Sequence, residues 1–277
     1  MIGILYSSQV PRAKPLTHEI SQWLTSRNVD SWVSRVKDMA SKCELVARSS
    51  LIVVLGGDGT TLTAAREVAP FNVPVFGVNL GRVGFLSEVT PEAWQSKLER
   101  VLDGDYWLER RLMLKGEVWR DGAQISNLSA LNDIVVSRGE HVRVVRFHLF
   151  VDADHVTTYT ADGLIASTPT GSTAYSMAAG GPLLPPQLKN FLIIPVAPHL
   201  SFERPVVLHQ EAVVKIQVEM VHRALATADG QDEVHLQSGD EVLISKHQNE
   251  GLFARVDGQS YFYHRLMQRL SFWSRKQ

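Results

Sequence analysis

The hydrophobic pattern of this chain changes period near residue 106, and that change constrains the fold more than any other feature. From Met1 to about Tyr106, short apolar runs alternate with segments whose apolar residues recur at helical spacing. This is the pattern of a parallel sheet covered by helices. Residues 2–6, 51–55 and 73–78 are predicted strands. Ile20, Trp23 and Leu24 mark one helix face; Trp94, Leu98, Val101 and Leu102 mark another, opened by Thr90 and Pro91 and closed near Gly104. After about Leu108 the apolar residues alternate by two, as in Leu112, Leu114 and Val118, then Val145, Phe147, Leu149 and Val151, and later Val214, Ile216, Val218 and Met220. Asp121-Gly122, between two such segments, suits a tight hairpin. The chain is therefore expected to form an α/β domain with a parallel sheet over residues 1–106 and a mostly antiparallel, layered β domain over 107–260. A C-terminal helix follows over 261–277, with Leu266, Leu270 and Trp273 on one face returning to cover the first domain.

Composition narrows the function classes. The 277 residues are 44% hydrophobic and 21% charged, with no apolar run long enough to cross a bilayer. The first residues, MIGILYSSQVPRAK, lack the basic and long apolar regions of a signal peptide, so a cytoplasmic protein is expected. A net charge of −1 disfavours nucleic acid and membrane surfaces and leaves small molecules as the expected ligands. The lone Cys43 permits neither an internal disulfide nor a cysteine-based zinc site.

The strand at 51–55 runs into Gly56-Gly57-Asp58-Gly59-Thr60-Thr61 and then a helix. Glycines let a backbone approach a ligand closely, and the N–H groups at a helix N-terminus attract phosphate oxygens. The position, at the carboxyl end of a parallel strand, is where open α/β sheets bind ligands. A single glycine pair here would read as an ordinary capped turn; three glycines around one acid favour a phosphate-binding device. The P-loop pattern GxxxxGK[ST] is absent, and so is a GxGxxG after the first strand; Gly81-Arg82-Val83-Gly84 is only a fragment of the latter. No GxSxG elbow accompanies the serine-rich stretch further on and no Ser/His/acid order stands out, which makes serine hydrolysis a poor competitor.

Gly56-Gly57-Asp58-Gly59-Thr60 resembles the GGDGT signature shared by NAD kinases, diacylglycerol and sphingosine kinases and, more distantly, 6-phosphofructokinases. Other segments narrow the resemblance to the NAD kinases. Asn79-Leu80-Gly81 through Gly84-Phe85-Leu86 is similar to the family's NxGxxGFL segment, and Asn132-Asp133 to its Asn-Glu pair. Residues 160–182, TADGLIASTPTGSTAYSMAAGGP, closely resemble its DGxxxSTPTGSTAYSxxAGGP block. Pro198-His199 with Arg204-Pro205-Val206-Val207, the turn Asp229-Gly230-Gln231, and the ending from Phe262 to Trp273 are weaker matches. Two departures stand out: Asp133 replaces the usual Glu, and Leu-Ser-Phe-Glu follows His199.

The resemblance implies transfer of a phosphoryl group to the 2′-hydroxyl of the adenosine ribose of NAD, giving NADP. It implies ATP or polyphosphate as donor, Mg²⁺ as the accompanying metal, and a homodimer or homotetramer whose sites are completed across subunits. Gly56, Gly57, Gly59 and Thr60 would hold donor phosphates. Asp58 would orient the ribose hydroxyl and accept its proton, or place the metal. Asp58, Gly59, Asn132, Asp133, Arg143, Thr160, Asp162, Thr173, Ala174, Tyr175, Ser176, Met177, Ala178 and Gln231 would position NAD. Two rival readings share these residues. A lipid kinase with the same glycine loop would need a long apolar acceptor pocket, which the small polar 160–182 block does not suggest; a non-catalytic dinucleotide sensor would not need the intact Asp58 loop.

Overall fold

The computed structural model describes residues 1–81, 84–87, 89–139, 145–199, 203–220 and 223–274, with only the backbone described at 261 and 269–274. The chain forms two compact units, one of Met1–Arg110 with Asn249–Gln277 and one of Arg111–Gln248.

The first unit is built on a six-stranded sheet in the order Ser31–Arg35, Ile2–Tyr6, Leu51–Gly56, Val75–Asn79, Gly251–Arg255, Trp107–Arg111. The pairings across its first five strands are parallel. Apolar strand residues such as Ile4, Val53 and Leu55 bury one face against the helix Ala13–Thr25, which presents Ala13, Leu16, Ile20 and Leu24 at helical spacing. Trp23 of that helix meets Trp94 edge-to-face at 5.5 Å, joining it to the helix Trp94–Leu102. The second helix begins at Trp94 because Thr90 to Ala93 forms a turn, with Ala93 N–H on Thr90 O; Gly104, at φ +79°, closes it as expected. Pro74 lacks an N–H to donate, and the strand expected from 73 starts after it, at Val75.

The sheet also corrects the domain boundaries. Trp107–Arg111 and Gly251–Arg255, assigned by sequence to the β domain, are strands of the first unit's sheet. Trp107–Arg111 escaped notice because its inward positions carry Glu109 and Arg111, at 1% and 2% exposure, where a strand normally shows apolar residues. The helix Tyr261–Ser274 sets Phe262 and Leu266 against Phe85 and Trp107 of the same unit. The side chains of Leu270 and Trp273 lie outside the described set.

The second unit stacks two six-stranded sheets whose pairings are antiparallel. One runs Asp154–Ala161, Val145–Val151, Val214–Glu219, Glu241–Lys246, Leu114–Arg120, Ala123–Ala130. The other runs Val206–His209, Asn190–Val196, Gly163–Ser167, Asp133–Arg138, Ala224–Ala228, Asp232–Leu236. Inward residues of both, among them Val118, Phe147 and Ile216 from the first and Val136, Ala166 and Ile193 from the second, share one core. Asp121 and Gly122 both have positive φ and make the hairpin turn expected of them. Among the described residues no helix is long and apolar enough to cross a membrane.

Candidate active site

In the first unit the glycine turn sits at the carboxyl edge of the parallel sheet, with Gly56 beside Asn79 in register. Gly57 caps the helix Asp58–Val68, whose first backbone bond runs from Thr61 N–H to Gly57 O. The N–H groups of Asp58, Gly59 and Thr60 therefore precede the intrahelical ladder and face outward along the helix axis. Gly56 is required by the protein itself, since a Cβ there would lie 2.5 Å from Thr60 Oγ1. Gly57 and Gly59 are not: a Cβ at either would meet nothing within 4 Å, and neither has positive φ.

The Asp58 carboxylate is committed to the segment 84–87. Phe85 N–H donates to Oδ2 at 2.7 Å; Leu86 and Ser87 N–H donate to Oδ1 at 3.1 and 3.4 Å. A side chain at Gly84 would overlap this carboxylate, so glycine is obligatory there. Buried Thr61 and Ser87 close the contact through their hydroxyls at 3.0 Å. A carboxylate offers about four acceptor positions, and these three bonds leave one, on Oδ2.

The same segment is gripped from its carbonyl side. Arg255 Nη1 donates to Leu86 O at 2.8 Å, and its other guanidinium nitrogens pair with Glu109 at 2.8 and 2.9 Å, both side chains being 1% exposed. Arg265 donates to Gly84 O at 2.9 Å and also to Ser87 O. Sequence reading placed neither arginine in the site; Arg265 lies in the Phe262–Trp273 match, which by itself gives it no role, and no local pattern marks Arg255. Arg82 and Val83 lie outside the described residues.

In the second unit three motifs converge. Asp229, in a turn with φ +52°, accepts N–H bonds from Leu131, Asn132 and Asp133 at 3.0, 2.8 and 3.1 Å. Thr168 N–H donates to Asn132 O at 2.8 Å, and its hydroxyl to Leu131 O at 2.6 Å. Gly171 passes so close to Asn132 O that any side chain would overlap it. The 131–133 turn, the 160–182 block and the 229–231 turn are thus one construction, in which Asp229 shapes the backbone that presents Asn132 and Asp133. Asp133 is 5% exposed; burial, and then the charge of Asp229, push its carboxyl up to about 7.

Beside this construction a cavity of about 300 Å³ is lined by Ser137, Arg138, Asp162, Gly163, Tyr175 and Val196. Asp162 pairs with Arg138 at 3.0 Å, and Tyr175 is 44% exposed. The one-turn helix Tyr175–Ala178 that turns Tyr175 outward turns Ser176 inward, to 0% exposure against Gly181. The Ser176 side chain is therefore not on the surface of the block. Thr173 is similarly buried, its hydroxyl on Thr170 O at 3.2 Å. Ala174 and Met177 are half-buried and Ala178 is exposed. Thr160 accepts His199 N–H through its backbone, and Gln231 is exposed with its N–H on Ala228 O. Arg143, and Leu200 to Phe202 after His199, lie outside the described residues.

Two family models match separate stretches of the chain. A family model described as the ATP-NAD kinase N-terminal domain matches residues 6–106, and one described as the ATP-NAD kinase C-terminal domain matches 131–256. An NAD kinase of Heliobacterium modesticaldum is 40% identical over 269 residues, covering 94% of this chain and 95% of its own. One from Chloroflexus aggregans is 36% identical over 97% of this chain and 98% of its own. Among solved structures, an NAD kinase from Archaeoglobus fulgidus in complex with ATP superposes with a TM-score of 0.78 at 25% identity, over 96% of this chain and 99% of the other. Yeast NADH kinase complexed with NADH gives 0.81 over 98% and 87%; at 24% identity that likeness speaks to the fold alone.

Proposed function

We propose, from the premise that this chain belongs to the NAD kinase family, that Asp58 orients the acceptor hydroxyl while the 56–61 turn holds the phosphoryl donor. The reaction is phosphorylation of NAD. The observation that carries the residue assignment is the pairing of a fixed carboxylate with Gly57 and Gly59, two glycines that no packing among the described residues and no backbone conformation requires. They flank the first-turn N–H groups of the helix Asp58–Val68, the arrangement that suits a phosphate chain.

Phosphoryl transfer asks a protein for positioning and charge stabilisation more than for covalent chemistry. The 2′-oxygen of the adenosine ribose attacks the terminal phosphorus of ATP, ADP leaves, and the hydroxyl proton passes to Asp58. The one acceptor position left on Oδ2 suits a single hydroxyl, which favours this role over metal placement. Among the described residues no group of three or more His, Cys, Asp or Glu side chains could hold a metal. Mg²⁺ is typically bound by one or two carboxylates together with substrate phosphates, so it is assigned to the donor, whose charge it would neutralise. Asn132, Asp133, Asp162 and Tyr175 would contact NAD. The same reading takes the assembly as a homodimer or homotetramer, for which exposed Tyr263 and Met267 offer apolar surface. It takes the location as cytoplasmic, which suits a free, exposed Cys43.

The test is NADP formation from NAD, ATP and Mg²⁺ by the pure protein and by Asp58→Asn. The variant should bind NAD and turn over roughly 10²- to 10⁴-fold more slowly, the span for a lost general base. Near-normal kcat in a folded variant overturns the assignment.

A further inference from the structure

We infer that Arg265, assisted by Arg255, is a positioning residue that fixes the Asp58 carboxylate through the peptide groups of segment 84–87. The inference rests on the reading of Asp58 given above and adds residues that lie more than 190 positions away in sequence.

The geometry runs peptide by peptide. The unit joining Gly84 to Phe85 accepts from Arg265 at its carbonyl, 2.9 Å, and donates from its N–H to Asp58 Oδ2, 2.7 Å. The unit joining Leu86 to Ser87 accepts from Arg255 at its carbonyl, 2.8 Å, and donates to Asp58 Oδ1, 3.4 Å. In a trans peptide the N–H and C=O point in opposite directions, so each unit is a dipole with its positive end on the carboxylate and its negative end on a guanidinium. Such chains polarise one another, and each bond holds the next in place. Arg265 also reaches Ser87 O, so one guanidinium spans the segment from end to end. Remove it and the Gly84 and Ser87 carbonyls lose this donor, which loosens the two ends of the segment while Arg255 still holds Leu86 O. The carboxylate then loses the direction of its open Oδ2 position, though its charge remains.

Arg265 is the residue to test, because it is half-buried and its loss leaves the core intact, whereas Arg255 is enclosed with Glu109 and its replacement would report on folding. Arg265→Met should lower kcat about 10- to 100-fold, the scale of a small misplacement at a reacting group, with KM for NAD and for ATP changed less than about threefold and Tm within a few degrees. Arg265→Lys, which can still donate to both carbonyls, should recover most of the turnover. The decisive measurement is the double variant: in the Asp58→Asn background, Arg265→Met should cost less than about threefold, because the group it positions has already lost its function. An equal loss in both backgrounds, or no loss in either, overturns the inference. Undiminished turnover in Asp58→Asn alone marks a different failure, that of the Asp58 reading, and removes this inference with it.

Discussion

A methyl group added at Gly84 would overlap the Asp58 carboxylate, while one added at Gly57 would meet no atom of the described residues within 4 Å. The two glycines therefore make separable predictions. Gly84→Ala should push the 84–87 segment off Asp58, lowering Tm by several degrees and kcat by at least tenfold. Gly57→Ala, at φ −94°, should lower Tm by no more than a few degrees, since exchanging a Gly N-cap for Ala costs about 1 kcal/mol, while raising KM for ATP at least tenfold. Melting curves and ATP titrations on both variants check this; a Gly57→Ala protein that melts early with normal KM would make the glycine structural. Asp133 carries a pH signature. Its carboxyl, raised to about 7 against an ordinary value near 3.8, keeps in the folded chain a proton that the unfolded chain releases. Its contribution to stability is therefore full below about pH 4, declines as pH rises, and is lost above about 7. Asp133→Asn removes this dependence, and should be more stable than the parent at pH 8 by on the order of 2–3 kcal/mol, with the advantage shrinking towards pH 5. Denaturant unfolding at the two pH values measures it, and a gap independent of pH would refute it.

At the scale of elements, the 131–133 turn is the part of the acceptor side most dependent on one residue. Asp229→Ala leaves three N–H groups without their acceptor, a loss of about 2–3 kcal/mol. KM for NAD should rise at least tenfold with KM for ATP nearly unchanged; equal rises in both would remove the turn from acceptor recognition. This role was not legible in the sequence, where Asp229-Gly230 looks like any hairpin turn, because it arises from contact with residues nearly a hundred positions earlier. Strands with a clear period, such as Ile2–Tyr6, Val145–Val151 and Val214–Glu219, were legible from apolar spacing alone. Ser31–Arg35 was not, because an edge strand buries little, here only Ser34; nor was Trp107–Arg111, whose inward residues are charged. The 160–182 block was legible as a unit. Which of its side chains face outward was not, because a single helical turn decides between Tyr175 and Ser176.

In sequence, the β unit is one continuous stretch, and the α/β unit is drawn from the two stretches on either side of it. Arg111–Gln248 holds its two sheets and their shared core within one stretch of chain, so this fragment, expressed alone, should fold and melt cooperatively. Residues 1–110 alone lack the strand Gly251–Arg255 and leave Glu109 buried without Arg255; an uncompensated buried charge costs about 3–5 kcal/mol. That fragment should not give a cooperative transition by circular dichroism, and a sharp melt from it would contradict the sheet order. The late return of the chain also bears on how the protein is made. As the polypeptide leaves the ribosome, the glycine turn and Asp58 emerge early and the β unit can close next, yet the sheet that carries Asp58 still lacks its penultimate strand. Arg255 and Arg265 are supplied last. A translation product interrupted between residues 88 and 250 would hold every glycine of the phosphate turn and the 84–87 segment that binds Asp58, yet lack Arg255 and Arg265, which grip that segment, so full phosphorylating activity is expected only once residues 251–265 have been synthesised and have docked.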